Sequence, residues 1–198
     1  MLEVTSYAGE KVAVLGLGRS GLSASRALVA GGAQVFAWDD NTDQLTAALN
    51  LGMPVSDLYS VSWDQFSALV LSPGIPLNFP QPHPLVVCAR NAGCEIIGDI
   101  ELFARERPAG KIAAITGTNG KSTTTILAGH LLESSGLSVA VGGNVGVPIL
   151  DLPRMPSDGA YVIELSSYQI DLAPSLAADV AVLLNLSPDH LKRHGGMD

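Results

Sequence analysis

The chain has 198 residues, of which 47% are hydrophobic and 15% charged, and its formal net charge is −8. This length fits one large or two small packed domains, and the acidic balance excludes a chain-wide attraction to nucleic acid or to an anionic membrane surface. No apolar run approaches the ~20 residues of a membrane-spanning helix, and no basic stretch leads into an apolar segment at the start. We therefore expect a monomeric cytoplasmic protein with neither a nucleic-acid nor a membrane partner.

The first half of the chain predicts a β-α-β unit followed by a less regular repeat of the same pattern. Apolar runs alternate with segments of helical periodicity, and a proline-rich loop from 73 to 84 interrupts the repeat. The predicted elements are a strand at 11–15, a helix at 20–30, a strand at 34–38, a helix at 42–51, an extended piece at 54–56, a strand at 68–71, a helix at 85–92 and a strand at 95–97. We assign residues 1–97 to a first domain.

The second half, residues 98–198, predicts another unit of alternating helices and apolar strands. Its predicted elements are helices at 99–107 and 123–134 and strands at 111–115, 138–141, 161–165 and 180–186. Continuous apolar strands between helices are typical of a parallel sheet that is buried on both faces. Few strands follow the glycine-rich loop at 116–123, so we expect the chain to hold only the N-terminal part of a larger domain.

Residues 116–123 read Thr-Gly-Thr-Asn-Gly-Lys-Ser-Thr and directly follow a predicted strand. Backbone N–H groups of such a loop converge on phosphate oxygens, Lys121 reaches the terminal phosphates and Ser122 can ligate Mg²⁺. The general P-loop pattern places glycine where this chain has Ile115, so only the Gly-Lys-Ser end of that pattern matches. The predicted ATP-binding residues are Gly117, Thr118, Asn119, Gly120, Lys121, Ser122 and Thr123.

A second glycine motif, Gly-Leu-Gly-Arg-Ser-Gly at 16–21, follows the first predicted strand, and Asp39 lies 23 residues beyond Gly16. This spacing fits the dinucleotide fingerprint of nicotinamide-dependent dehydrogenases. A UDP-linked substrate would use the same tight turn and helix N-terminus, so the motif indicates a diphosphate and leaves the nucleotide open. Ser20 fits both a helix N-cap and a direct phosphate contact.

Seven motifs in this order resemble those of the Mur ligase family, and the resemblance covers nearly the whole chain. The motifs are Gly-Leu-Gly-Arg-Ser-Gly at 16–21, Ser-Pro-Gly-Ile at 72–75, Gly-Asp-Ile-Glu-Leu-Phe at 98–103, Thr-Gly-Thr-Asn-Gly-Lys-Ser-Thr at 116–123, Gly-Gly-Asn-Val-Gly at 142–146, Glu-Leu-Ser-Ser-Tyr-Gln at 164–169 and Asn-Leu-Ser-Pro-Asp-His at 185–190. The implied fold is a Rossmann-like parallel-sheet domain that binds a UDP-linked substrate, followed by part of a P-loop ATPase α/β domain.

The resemblance implies ATP-dependent addition of D-glutamate to UDP-N-acetylmuramoyl-L-alanine through an acyl phosphate, in peptidoglycan precursor synthesis. ATP would be a co-substrate, and two Mg²⁺ ions are expected in the family. The implied catalytic residues are Lys121 on the phosphates, Glu164 with Ser122 on the first Mg²⁺, and His190 on the second. Glu164 ends a strand that is expected to be buried. A buried carboxylate is costly unless it is paired with a cation or a hydrogen-bond donor, so this position favours metal ligation.

The substrate residues implied by the same resemblance lie at the ends of strands in both halves. They are Gly18, Arg19, Ser20, Asp39, Asp40, Ser72, Gly74, Asn144, Ser166 and Gln169. Asn41 stands where the family often has a basic residue, which puts the contacts to uracil there in question. Trp63 and Phe66 are interpreted as helical residues of the core.

Other functions stay open at this stage. Another amino-acid ligase of the family, such as folylpolyglutamate synthase, shares the phosphate loop but would not need a UDP-binding first domain. A nicotinamide-dependent dehydrogenase fits the first motif but has no use for the second loop, and a non-catalytic nucleotide-binding regulator fits both. Family members extend well beyond residue 198 with a carbamylated lysine and a further domain, so this polypeptide alone is expected to lack turnover.

Overall fold

The computed structural model of the protein describes residues 1–196. In this part of the chain the backbone forms two four-stranded sheets, and all strand pairings within them are parallel. Neighbouring parallel strands require crossover connections, and helices or short turns provide them on the faces of each sheet. The predicted parallel-sheet α/β class is therefore confirmed.

The first sheet has the strand order β2-β1-β3-β4, with β1 and β3 in its centre. The elements of this unit are β1 (Lys11–Leu15), α1 (Arg19–Ala30), β2 (Gln34–Trp38), α2 (Thr42–Asn50), β3 (Ala68–Leu71), α3 (Pro84–Asn91) and β4 (Glu95–Ile97). All four residues of β3 are buried, as expected for a central strand that is covered on both faces. The chain changes direction across the sheet between β1 and β3, so a crevice opens at their carboxyl ends.

The second sheet has the strand order β6-β7-β5-β8. The elements of this unit are α4 (Asp99–Arg105), β5 (Lys111–Thr116), α5 (Lys121–Ser134), β6 (Val139–Gly143), β7 (Ala160–Glu164), α6 (Ser167–Asp171), β8 (Val180–Leu183) and α7 (Leu191–His194). Strand β7 is fully buried, whereas the edge strand β8 leaves Val180 55% and Leu183 64% exposed. The crevice of this sheet lies between β5 and its neighbours, where the phosphate-binding sequence follows β5.

Most predicted elements lie within a few residues of their observed bounds, and the largest differences have local causes. Helix α5 begins at Lys121 rather than at residue 123, because Gly120 adopts a left-handed conformation with φ of 85° and starts the helix directly after the loop. The prediction that Trp63 and Phe66 are helical was wrong, because the helical turn is a single 3-10 turn at Trp63–Gln65 and Phe66 lies in extended backbone that leads into β3. Both are buried, at 9% and 6% exposure, as predicted for core residues.

The two units pack against each other through α1, α4 and the turn at Ile149–Asp151. Arg26 of α1 forms an ion pair with Asp151 at 2.9 Å between Nη2 and Oδ2. The rings of Phe103 and Tyr161 meet edge to face with centroids 5.1 Å apart, within one apolar cluster that includes residues of both units. The division at residue 97 stays a prediction from the sequence.

Asp99 lies in this junction at the first position of α4 and is only 3% exposed. Burial raises the pKa of its carboxyl group, and the nearby side chain of Gln169, the Ile100 N–H that donates to its Oδ1 and the side chain of Ser20 offset this only in part. The folded chain therefore retains the Asp99 proton to a higher pH than the unfolded chain does. Its contribution to stability is greatest in acid and is lost as the pH rises through the folded pKa.

We expect Asp99→Asn to stabilise the chain relative to wild type, and to do so more at pH 8 than at pH 5.5. The amide carries no charge at either pH, so it does not acquire the desolvation cost of the buried carboxylate. Urea denaturation at the two pH values measures the difference. Asp158→Asn, at an exposed turn position, is the control and should change stability equally at both pH values. A stabilisation by Asp99→Asn that does not grow with pH would contradict the raised pKa of Asp99 in the folded chain.

Candidate functional site

The glycine loop after β1 is pressed against the end of β3. Gly16 has a φ of 93°, and the Ser72 hydroxyl donates a 2.9 Å hydrogen bond to its carbonyl. Gly21, in the first turns of α1, packs so closely that an added Cβ would lie 1.7 Å from the Gly16 carbonyl oxygen. These contacts explain two of the three glycines of the motif, because a side chain at either position would collide with the backbone or with Ser72.

Asp39 orders this loop from the end of β2. Its Oδ2 accepts a 2.6 Å hydrogen bond from the backbone N–H of Leu17, and its Oδ1 accepts one of 2.8 Å from the N–H of Asn41. A ribose hydroxyl at this carboxylate would have to share oxygens that already accept backbone hydrogen bonds. The structure thus gives Asp39 a role in shaping the loop.

Asp40 sits in a polar cluster on the outer side of the same strand end. It accepts hydrogen bonds from Trp38 Nε1 at 2.9 Å and Tyr59 Oη at 3.3 Å, and its Oδ2 lies 2.8 Å from His83 Nε2. Burial disfavours the charged form, but the hydrogen bonds from His83 and Trp38 outweigh it and lower the pKa of Asp40. Since Leu85 N donates to Nδ1 of the same histidine, Nε2 is the nitrogen that carries the proton toward Asp40. Sequence reasoning assigned no role to His83.

A cavity of about 430 Å³ lies above this loop and is the first of two candidate ligand sites. We call it the first cavity. Seven of the ten predicted substrate residues line it, namely Gly18, Arg19, Ser20, Asp39, Ser72, Gly74 and Asn144. Residues from both halves of the chain therefore meet at one cavity.

The phosphate loop after β5 is held open by its own glycines and by the segment after β8. Gly117 and Gly120 have φ values of 142° and 85°, which L side chains rarely adopt. Asn185 clasps the loop, because its Oδ1 accepts from Asn119 N at 2.9 Å and its Nδ2 donates to Asn119 O at 2.9 Å. Ser187 adds a backbone N–H that donates to the Thr118 hydroxyl at 3.0 Å. The sequence analysis gave Asn185 no individual role. Its only signal was its place in the 185–190 motif.

Lys121 lies at the start of α5 with its side chain folded back over the loop. Its Nζ donates to the Gly117 and Thr118 carbonyls at 2.7 Å and 3.0 Å. Neutral carbonyls leave the positive charge uncompensated, so the ammonium group is available to phosphate oxygens that enter the loop. Ser122 and Thr123 are exposed in the first turn of the same helix.

Glu164 ends β7 beside this loop and is 1% exposed. Its Oε1 accepts a 2.7 Å hydrogen bond from Asn144 Nδ2, while its buried Oε2 has no hydrogen-bond partner among the described residues. A buried carboxylate oxygen without a partner is costly, at about 1–3 kcal/mol, unless a cation or donor completes it. The unmatched oxygen therefore fits the predicted metal-ligand role of Glu164.

Across residues 1–196, no three side chains of His, Cys, Asp or Glu converge into a metal cluster. Mg²⁺ does not need such a cluster, since it commonly binds one or two carboxylates and completes its shell with waters and substrate phosphates. Glu164 together with the Ser122 hydroxyl fits that donor set. The chemistry of the site thus agrees with a magnesium ion that is bound mainly by nucleotide.

A second cavity, of about 730 Å³, extends from the phosphate loop to the 187–196 segment. His190 lines it, with a φ of 50° and its ring centroid 5.4 Å from that of Tyr168. His194, for which sequence reasoning proposed no function, stacks on the same Tyr168 ring at 5.2 Å. Lys121 and Ser166 also belong to this second cavity, and Gly74 and Asn144 line both cavities.

Gln169 is the predicted substrate residue that the structure places deepest, at 2% exposure. It forms a capping box with Ser166 at the start of α6, in which each side chain bonds the backbone N–H of the other residue. Ser166 lines the second cavity, whereas Gln169 does not line it and contacts Ser166 through the capping box. Any influence of Gln169 on a ligand would act through this cap.

Comparison with known proteins follows the division of the motifs. The profile of the MurD-like N-terminal domain of Mur ligases matches residues 10–98, and that of the Mur ligase middle domain matches residues 115–198. The chain belongs to the Mur ligase family. Within the part of the chain that the structure describes, no helix combines the length and apolarity that crossing a membrane requires.

Curated relatives share more than half of their aligned residues with this chain. The UDP-N-acetylmuramoylalanine–D-glutamate ligase of Caulobacter vibrioides is 55% identical over 206 residues, and that of Mesorhizobium japonicum is 52% identical over 201 residues. Each alignment covers 100% of this chain and 43% of the relative. The chain therefore spans less than half the length of these relatives.

Solved structures of Mur ligases share the fold at low sequence identity. The UDP-N-acetylmuramate:L-alanyl-gamma-D-glutamyl-meso-diaminopimelate ligase from Neisseria meningitides aligns with a TM-score of 0.55 and 22% identity, covering 93% of this chain and 63% of the other. The UDP-N-acetylmuramate-alanine ligase from Thermotoga maritima aligns with a TM-score of 0.54 and 22% identity, covering 93% and 43%. These likenesses support the Rossmann-like parallel-sheet architecture.

Proposed function

We propose that the chain carries the sugar-nucleotide site and the phosphate loop of a ligase that adds D-glutamate to UDP-N-acetylmuramoyl-L-alanine in peptidoglycan precursor synthesis. The observation that carries this proposal is the shared wall of the two cavities at Gly74 and Asn144. Two anionic ligands bound on either side of that wall would bring their reactive ends together. The choice of D-glutamate rests on the 52–55% identity to ligases that are named for it.

The proposed chemistry has two steps. A carboxylate oxygen of the first substrate attacks the γ-phosphorus of ATP, the bond from that phosphorus to the β-γ bridging oxygen breaks, and ADP leaves. The amine of D-glutamate then attacks the acyl carbon, loses a proton, and phosphate leaves. Both reactants of the first step are anions that lose hydrating water when they bind. The site must therefore supply positive charge and hydrogen-bond donors that offset their mutual repulsion.

The residues of the phosphate loop perform this neutralisation. Lys121 exchanges its two carbonyl acceptors for phosphate oxygens, and the loop N–H groups at the start of α5 hold the triphosphate. Glu164 and Ser122 would hold one Mg²⁺ and His190 a second, and bound Mg²⁺ supplies Lewis-acid charge neutralisation at the γ-phosphate and the acceptor carboxylate. Asn144 keeps the Glu164 carboxylate oriented through its 2.7 Å hydrogen bond.

The first cavity supplies the contacts to the UDP-linked substrate. Arg19 and Ser20 lie at the start of α1, where a diphosphate gains from both the helix N-terminus and the guanidinium group. Ser72 and Gly74 form the opposite wall. Asp39 and Asp40 flank the end of β2, where the nucleoside would lie. A cytoplasmic location, a monomeric state and the inactivity of the 198-residue chain by itself stay predictions from the sequence.

Thermal unfolding with separate ligands tests the proposal. At about 100 times its dissociation constant a ligand stabilises its binding unit by roughly 2.7 kcal/mol, or about 5–11 °C for a chain of this size. We expect shifts of this order with UDP-N-acetylmuramoyl-L-alanine and with Mg-ATP, and none with NADH. A shift with NADH alone would favour a dehydrogenase, although the backbone hydrogen bonds at Asp39 argue against a free ribose-binding carboxylate. A weak response to Mg-ATP alone would favour a nucleotide-binding regulator.

A further inference from the structure

Arg193 of α7 crosses from the second unit to the loop that follows β3 in the first. Its Nη1 donates to the Gly74 carbonyl at 2.7 Å, and its Nη2 donates to the carbonyls of Ile75 at 2.9 Å and Pro73 at 3.2 Å. Three successive carbonyls of one loop thus converge on a single guanidinium group. The planar fork of arginine, with five donors in fixed directions, suits this geometry.

A face of the same guanidinium group packs against a ring of the second unit. The Arg193 Cζ lies 4.6 Å from the centroid of the Tyr168 ring, within the range of a cation–π contact. Tyr168 belongs to α6, which follows the strand that ends in Glu164. The arginine therefore forms a continuous connection from the loop after β3 to the helix beside the second cavity.

Two more contacts hold the segment around Arg193 against its surroundings. His194 Nε2 lies 2.8 Å from the Ser167 hydroxyl, which fixes the end of α7 to α6. A Cβ added to Gly195 would lie 2.8 Å from the Phe79 ring, so the chain passes closely over the first unit here. The contact of α7 with both units is thus broader than one side chain.

Within residues 1–196, no acidic side chain pairs with the charge of Arg193. No carboxylate of the described residues lies within ion-pair distance of its guanidinium group, which is half-buried. Neutral carbonyls hold the group in place and leave its positive field at the loop that lines both cavities. Such a field favours anionic ligands in either cavity.

We propose that Arg193 is a positioning residue that couples the two cavities. It sets the Pro73–Gly74 wall of the first cavity according to the position of α6 and α7 at the second, so that a nucleotide in the second cavity orders the wall that faces the sugar-nucleotide. This role deepens the proposed function and rests on it for the identity of the ligands. By reciprocity, each ligand then raises the affinity for the other, by about 5-fold or more if the coupling is of ordinary size.

Hydrogen exchange of residues 74–79 tests the proposal in the full 198-residue chain. In wild type we expect Mg-ATP to slow exchange of these amides by about 5-fold or more, as ordering of a loop does. In Arg193→Met we expect faster exchange without ligand and less than about a twofold response to Mg-ATP. Lys192→Met removes a positive charge from the same helix, at a side chain that has no hydrogen bond or ion pair with the described residues, and should behave as wild type.

Two further comparisons separate positioning from general stability. Tyr168→Leu keeps the guanidinium and its carbonyl contacts but removes the ring beneath it, and should lose the Mg-ATP response while keeping slow exchange without ligand. Equal responses to Mg-ATP in Arg193→Met and wild type would overturn the proposal. So would faster exchange in Arg193→Met that extends to β1 and β5, or the absence of any Mg-ATP response in wild type. Titration of wild type with UDP-N-acetylmuramoyl-L-alanine tests the proposed function separately. If this ligand does not bind, the proposed substrate is wrong, and the exchange experiment still tests the role of Arg193.

Discussion

Glu164→Gln is expected to weaken the Mg²⁺-dependent part of ATP binding by at least about tenfold while the chain stays folded. Even outer-shell partners of metal ligands typically change metal affinity by about 10–100-fold, so loss of a direct carboxylate ligand should cost no less. The amide keeps the acceptor that Asn144 needs but places no negative oxygen at the buried, unpartnered Oε2 position. Because no buried charge remains, we expect the unfolding temperature to change by less than about 3 °C or to rise.

The measurement is a nucleotide titration with and without Mg²⁺, for wild type and for the variant. Wild type should bind ATP more tightly when Mg²⁺ is present, and Glu164→Gln should bind it with nearly the same affinity in both conditions. Asp158→Asn makes the same carboxylate-to-amide change at the exposed turn before β7 and should retain the full Mg²⁺ effect. An undiminished Mg²⁺ effect in Glu164→Gln would remove this residue from the metal site.

Gly21→Ala is expected to destabilise the first unit by about 3 kcal/mol or to prevent its folding. An added Cβ would lie 1.7 Å from the Gly16 carbonyl oxygen and 3.0 Å from the Ser72 hydroxyl, and neither the backbone nor a short side chain can move far enough to relieve this. Overpacking of this kind costs typically 1–3 kcal/mol and occasionally more. Since about 1 kcal/mol lowers the unfolding temperature of a chain of this size by about 2–4 °C, the expected fall is roughly 6–12 °C.

Gly18→Ala is the matched comparison within the same motif. Gly18 has a φ of −68°, and no atom lies within 4 Å of its built Cβ position. Alanine there should change stability by less than about 1 kcal/mol, mainly through a poorer helix N-cap. Calorimetry of both variants distinguishes the two positions, and similar stability of Gly21→Ala and Gly18→Ala would show that the close approach to Gly16 is not a constraint.

Local patterns in the sequence predicted most of the secondary structure. Short apolar runs such as Lys11–Leu15 and Ala68–Leu71 became strands with the predicted bounds, because strands covered on both faces need uninterrupted apolar residues. Less precise were the ends that depend on conformation rather than on hydrophobicity. The start of α5 is set by the left-handed Gly120. The helical turn at Trp63 ends before Phe66, and the two ring centroids lie 5.4 Å apart.

The sequence also indicated which residues belong to the candidate site, because its motifs stand directly after strands. Ligand groups gather at the carboxyl ends of parallel strands, so the sequence alone predicts that the loops at Gly16, Ser72 and Lys121 lie at ligand sites. What each side chain does there is not encoded by the motifs alone. Asp39 and Gln169 stay predicted substrate residues, and in the fold Asp39 also accepts from the backbone of the loop after β1 and Gln169 from the backbone of Ser166.

By itself, the sequence determined the fold class, the membership of the Mur ligase family and the positions of the two glycine-rich loops, since each is encoded by neighbouring residues with a fixed spacing. Only the tertiary structure decided how distant segments meet. The bond of Asn144 to Glu164, the clasp of Asn185 on the phosphate loop and the crossing of Arg193 to Gly74 join residues 20, 66 and 119 positions apart. No local pattern specifies such contacts, because they arise from the order of strands in the sheets and from the packing of one unit against the other.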